Sequence, residues 1–225
     1  MKKIIYLLTL VILPNLLTAQ TERKIGDFQK LSVYDGINVE LIKSDENRVE
    51  ITGKNTDYIV VKNKNGDLKI RLSVEKRFSG NRTKVSVFYK KIYSVISHEG
   101  ANVFSKDTIK QADLNLKANS GSKQNMIVDL NTLQLTATAG AKINLTGTSQ
   151  YQDLSATTGA EIMVSKLDNE EATAVSTTGA LIDISTTKEL KVNSKIGGII
   201  NVHTKTDKIT EKISVGGVVN YLYEQ

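Results

Sequence analysis

Apolar and polar residues alternate along most of the chain in short runs, with the period of two that puts one face of an extended strand into a core. Residues 28–33 alternate this way, and 37–42 repeat it with Ile37, Val39 and Leu41 on one side. Residues 48–53, 58–62, 68–72, 84–89 and 92–96 continue the pattern. Turn-forming stretches at 34–36, 43–47 and 63–67 interrupt it. Asn65-Gly66 predicts a tight hairpin between 58–62 and 68–72, because both residues tolerate positive φ. Residues 78–82 read as a flexible loop.

From residue 100 onward the alternation is punctuated at a nearly fixed interval. Gly-small steps stand at Gly100-Ala101, Gly121-Ser122, Gly140-Ala141, Gly159-Ala160, Gly179-Ala180, Gly197-Gly198 and Gly216-Gly217, at intervals of 21, 19, 19, 20, 18 and 19 residues. Aligned on glycine, the copies place Ile143, Ile162, Ile182, Ile200 and Val219 in one column. Gln124 occupies that column in the loosest copy. Leu116, Leu135, Leu154, Ala174 and Val192 recur five residues before the glycine. Each repeat therefore reads as strand, Gly-small corner, strand and polar turn, the last exemplified by 147–149 and 165–169. A unit this short cannot bury a core alone, so copies must stack.

The predicted fold is all-β: a right-handed parallel β-helix (β-solenoid) of about 19–20 residues per rung, with a hairpin-rich N-terminal part that caps the stack. A β-sandwich is the alternative, and the constancy of the period weighs against it. The seven glycines are candidate structural corners, required either for positive φ or because a Cβ would clash.

Export enters with the first residues. Met1-Lys2-Lys3, an apolar run at 4–13, Pro14 and Ala19 form the pattern of a signal peptide spanning 1–19. A tail at 20–27 and a repetitive domain at 28–222 would follow, divided into longer strands and hairpins at 28–96 and repeat rungs at 97–222. The apolar run falls short of the roughly 20 residues a bilayer span needs, so an integral membrane protein is not expected. The expected address is the periplasm, outer-membrane surface or exterior of a Gram-negative bacterium. The chain has no cysteine, which excludes disulfides, thiolate metal sites and a cysteine-linked lipid anchor.

Charge is uneven. Residues 21–99 hold 16 basic and 11 acidic side chains, whereas 100–225 hold 12 and 13. The densest basic zone in sequence is Lys76, Arg77, Arg82, Lys84, Lys90 and Lys91. This modest excess suits contact with acidic surface glycans better than nucleic acid.

Gly36-Ile37-Asn38, within 34–41 and behind a strand opening at Phe28, resembles the motif of the putative auto-transporter adhesin head GIN domain family. The resemblance covers roughly 28–222 and includes the glycine-rich repeats. It implies a repetitive β fold and a role in adhesion, and it carries no catalytic residues.

Candidate chemistry adds little to this picture. His98 and His203 lack partners at ligand spacing, so no metal or cofactor is expected. Asp129, Asp153, Asp168 and Asp183 read as falling at different rung positions, and arginine is absent after Arg82. No catalytic residue is assigned, although a carbohydrate-active enzyme remains the alternative. Thr136, Thr138, Thr157, Thr158, Thr177 and Thr178 read either as strand formers or as a hydroxyl-rich surface. The expected function is non-enzymatic binding of a glycan or cell-surface macromolecule. A structural module associating end to end through its last rung is a further alternative, with the oligomeric state left open.

Overall fold

The computed structural model describes residues 21–76 and 83–223. The expected signal peptide at 1–19, Gln20, Arg77, the loop at 78–82 and the last two residues lie outside them. Strand makes up 68% and helix 3% of the structure, arranged as a β-solenoid of about seven turns.

Each coil of the glycine-rich half contributes two strands joined at a glycine turn. β8 (Ser94–Ser97) passes through Gly100 into β9 (Asn102–Asn119), which bends round the far side of the coil. β9 passes through Gly121 into β10 (Lys123–Thr138), β10 through Gly140 into β11 (Lys142–Thr157), and β11 through Gly159 into β12 (Glu161–Asp168). Three shorter-stranded coils follow: β13 (Glu171–Thr177) with β14 (Leu181–Ile184), β15 (Glu189–Lys195) with β16 (Ile199–Val202), and β17 (Lys208–Ser214) with β18 (Val218–Tyr221). Successive coils pair in parallel and in register, so Ile143, Ile162, Ile182, Ile200 and Val219 stack in one column. The first four are fully buried, as are Leu116 and Leu154 in the facing column. The identity of residues one coil apart is thus what fills the core.

The far bend differs from the polar turn expected there. β11 runs unbroken through Gly147, because 146–149 keep pairing with 127–130 of β10. Gly147 is needed for space: an added Cβ would lie 2.0 Å from the Val128 carbonyl oxygen.

A further coil of the same kind comes from early in the chain. β2 (Lys30–Val33) and β3 (Asn38–Lys43) join through Gly36 and pair in parallel with β8 and β9. On their other side they pair in parallel with β6 (Asp67–Leu72) and β7 (Thr83–Tyr89). Antiparallel strands then close this end: β5 (Ile59–Lys64) on β6, β4 (Arg48–Gly53) on β7, and β1 (Thr21–Lys24) on β4. Such cover removes the bare parallel edge that a stack would otherwise present.

At the opposite end β17 and β18 each pair with one strand, and Ile213, Val218, Tyr221 and Leu222 are exposed. Glu211 stands in register with Val192, in the column that holds Leu135 and Leu154 further in. An exposed charge at a place that is apolar in the coils before it blunts that final edge against further pairing.

Candidate functional site

The glycine turns form a continuous line along the stack. Both central residues of each turn have positive φ, for example 53° and 70° at Ala139-Gly140 and 55° and 68° at Thr178-Gly179. This is the geometry of a two-residue primed turn, for which glycine is the favoured second residue. Gly100, Gly121, Gly140, Gly159 and Gly179 have nothing within 4 Å of an added Cβ, so conformation rather than space accounts for them. Each turn bonds to the next: Gly100 N–H donates to Ser120 O at 3.0 Å, Gly140 to Thr158 O at 3.1 Å, and Gly197 to Val215 O at 3.2 Å.

Gly36 belongs to the same line. Asp35-Gly36 has φ of 61° and 71°, and Gly36 N–H donates to Glu99 O at 2.9 Å. Ile37 is fully buried, and Asn38 Oδ1 accepts from Asn102 Nδ2 at 3.2 Å. These residues serve the scaffold, and the outward side chains beside them carry the surface chemistry.

A strongly charged concavity lies where the β5–β6 hairpin meets the first two turns. It has a volume of ≈ 450 Å³, and Tyr34, Lys62, Lys64, Lys69, Arg71 and Glu99 line it. Antiparallel register sets Lys62 directly opposite Lys69, with Arg71 opposite Val60. Like charges in that position destabilise a strand pair. Lys69 has a distant carboxylate, Asp67, at 3.7 Å, and Asp67 also meets Lys30 at 3.3 Å. Among the described residues, no side-chain hydrogen bond or ion pair engages Lys62, Lys64 or Arg71. The Tyr34 ring stacks on His98, with centroids 4.7 Å apart and planes 6° from parallel. Burial, and then the charge of Lys30, push the His98 imidazole below its usual value, which favours the neutral ring.

A second groove runs along the outside of β10, β11 and β12, with a volume of ≈ 420 Å³. In-register pairing sets Lys123 beside Lys142 and Asn125 beside Asn144. Lys142 is tied to both oxygens of Glu161 at 2.8 Å. Further along, Asn220 Nδ2 donates to Asn201 Oδ1 at 2.9 Å and Asn201 Nδ2 to Asp183 Oδ1 at 2.7 Å. Amide and ammonium groups thus recur between β10 and β11 at the coil spacing, about 4.8 Å, while Glu161 and Met163 take those places on β12.

The aspartates do not all fall at different rung positions. Asp129 and Asp168 share one outer column with Thr148 between them. Asp129 is bound by Lys110 at 2.7 Å and Thr148 at 3.1 Å. Hydrogen bonds from Lys110 and Thr148, and then the Lys110 charge, hold its carboxyl below the usual range, the opposite of what a general acid needs. His203 Nε2 lies 3.8 Å from Asp183 Oδ1. Among the described residues no group of three His, Cys, Asp or Glu side chains is placed to hold a metal. None of their helices is long and apolar enough to cross a membrane.

The basic concavity was not among the sequence candidates. Its signal was present: Lys62 and Lys64, then Lys69 and Arg71, recur at a spacing of two on either side of Asn65-Gly66. A hairpin there puts all four on one face.

Residues 27–206 match the family described as "Putative auto-transporter adhesin, head GIN domain". Among solved structures, a putative adhesin of Bacteroides fragilis superposes with a TM-score of 0.80 at 15% identity, covering 92% of this chain and 96% of that one. A putative adhesin of Parabacteroides merdae gives 0.73 at 19% identity, covering 90% and 95%. A protein of Parabacteroides distasonis named as a putative lipid binding protein gives 0.73 at 17% identity, covering 90% and 96%. At these identities the likeness is one of fold. No curated protein matches the chain.

Proposed function

We propose, from the premise that this chain belongs to the putative auto-transporter adhesin head GIN domain family, that it is a non-enzymatic binding protein of the cell envelope or surface. It is exported through its first 19 residues and binds a glycan or a cell-surface macromolecule by its outer faces. The observation that carries this reading is the outer surface of two adjacent coils, where Lys123 stands beside Lys142 and Asn125 beside Asn144. A stack of parallel strands fixes these groups at a regular spacing, which suits a ligand that is itself extended and repetitive. Preorganised donors on a rigid sheet lose little freedom on binding.

The test is a glycan and extracellular-matrix array probed with the folded mature chain. Saturable binding to at least one glycan or matrix component is expected. A blank array with correctly folded protein would overturn the reading.

A further inference from the structure

We infer that the concavity between the β5–β6 hairpin and the first two glycine turns is the site for an acidic saccharide, with the sugar's carboxylates held by Lys62, Lys69 and Arg71. This rests on the reading of the chain as a glycan-binding protein and names the ligand class and the place. Three observations converge on it. First, Lys62 and Lys69 face each other across the hairpin, and no acid of the described residues pairs with Lys62, Lys64 or Arg71. Direct apposition of like charges lowers the stability of the hairpin. An anionic ligand between them would remove that repulsion, so the unfavourable arrangement becomes favourable only in the complex.

Second, the donor set has the right shape. Arg71 offers a planar fork that binds a carboxylate through two parallel hydrogen bonds, and the flanking lysines add point charge. A volume of ≈ 450 Å³ falls within the range of roughly 300–1,000 Å³ usual for small-ligand sites. Third, Tyr34 lines the same groove, and its ring is fixed by stacking on His98 at 4.7 Å. A fixed aromatic ring presents an apolar surface with a polar tip, suited to the C–H face of a sugar ring and its hydroxyls. Glu99 and the buried Asp35 also line the groove, Asp35 being held by the Leu72 N–H at 2.9 Å. A bare anion would use the cations alone; the ring points to a saccharide.

Scaffold geometry makes the site. β6 is held beside β2 by parallel pairing that sets Lys69 next to Ser32, and Tyr34 N–H donates to Ile70 O at 3.0 Å. Residues far apart in sequence therefore form one rigid surface.

The test is titration calorimetry of the folded mature chain with a galacturonate hexamer and with its fully methyl-esterified counterpart, which has the same rings without charge. Lys62→Ala and Arg71→Ala change exposed side chains, and Lys208→Ala on the last coil, away from both grooves, is the control. Binding of the acid but not the ester is expected, weakened about tenfold or more by either concavity variant and unchanged by the control. Inorganic sulfate is expected to bind far more weakly than the hexamer. Equal binding of acid and ester, or acid binding that survives both variants, would overturn the inference. So would sulfate that binds as tightly as the hexamer, or capture by phosphatidylglycerol vesicles of a chain that ignores the hexamer. A chain that ignores the acid yet binds a neutral glycan or matrix protein on the array would sink this site and leave the adhesive reading standing. Failure on both the array and the hexamer would remove both.

Discussion

Gly197 and Gly198 sit side by side in one turn for different physical reasons, and substitution should separate them. Gly197 has φ of 70°, and an added Cβ would approach nothing nearer than Gly179 N at 4.0 Å. Gly198 lacks a positive φ, yet its Cβ would lie 2.4 Å from Ser176 O, 2.6 Å from the carbonyl carbon and 2.9 Å from Oγ. Gly217 repeats this against Ser194 at 2.3, 2.5 and 2.8 Å. In three earlier coils the places of Gly198 and Ser176 hold alanine, as with Ala180 above Ala156, and in the Gly121 coil Ser122 stands over Ser97 with their hydroxyls 2.9 Å apart. Glycine is thus set by how closely the Ser176 carbonyl approaches, with the hydroxyl adding to the crowding. Gly197→Ala should cost about 1–2 kcal/mol, the penalty for a left-handed L-residue. Gly198→Ala should cost about 1–3 kcal/mol through overpacking. Ser176→Ala alone removes a 2.7 Å bond to Ala180 O, worth about 0.5–1.5 kcal/mol. Combined with Gly198→Ala it removes the Oγ contact and leaves the carbonyl at 2.4 Å, so the double variant should recover only part of the loss, about 0.5 kcal/mol against the sum. Combined with Gly197→Ala it should be additive. Thermal unfolding of the mature chain by circular dichroism reads this at about 2–4 °C per kcal/mol. A neutral Gly198→Ala, or equal additivity in both double variants, would refute the close-approach account.

Gln152 is buried in register with Leu133, and both of its polar side-chain atoms lack partners. Gln152→Leu should raise stability by about 1 kcal/mol or more, read as a higher unfolding temperature. Glu211→Val restores the apolar column at the open end and should produce concentration-dependent association in sedimentation velocity beyond any shown by the unaltered chain; identical behaviour would show that Glu211 does not blunt that edge. The lowered Asp129 carboxyl implies a contribution present above the ordinary carboxylate value and lost as pH falls through the lowered one. Lys110→Ala should move the Asp129 titration back up in carbon NMR, and an unmoved titration would show that Lys110 is not the cause.

Much of the fold was legible because stacking repeats a local rule. Ile143, Ile162, Ile182 and Ile200 announce their column by spacing alone. Gly36 did not announce itself as a turn of the same line. The chain leaves the stack after β3 to build the closed end, so Asn38 meets Asn102 across 64 residues and the interval is lost. The residues before the glycines were also silent, since Thr178, Ile196 and Val215 are β-branched and ordinarily avoid positive φ. Gln124 looked like a defect in the apolar column. It is fully buried, and its Nε2 reaches Lys117 O at 2.9 Å across its own glycine turn and Ser97 Oγ at 3.0 Å, a partner that the stacking of coils supplies. The binding surface was the least legible part. The basic excess before residue 100 was visible, but the sequence-dense zone around Lys84 and Lys90 is not where the charge converges. Lys62, Lys69 and Arg71 meet Tyr34 because β6 lies beside β2, a pairing that periodicity does not encode.

Backbone amide NMR of the labelled mature chain, titrated with the galacturonate hexamer, tests the placement of the acidic-saccharide site most directly. Shifts centred on Tyr34, Lys62, Lys69, Arg71 and Glu99, and absent with the methyl ester, are the expected result. Shifts confined to the β10–β12 groove, or none at millimolar hexamer, would contradict it.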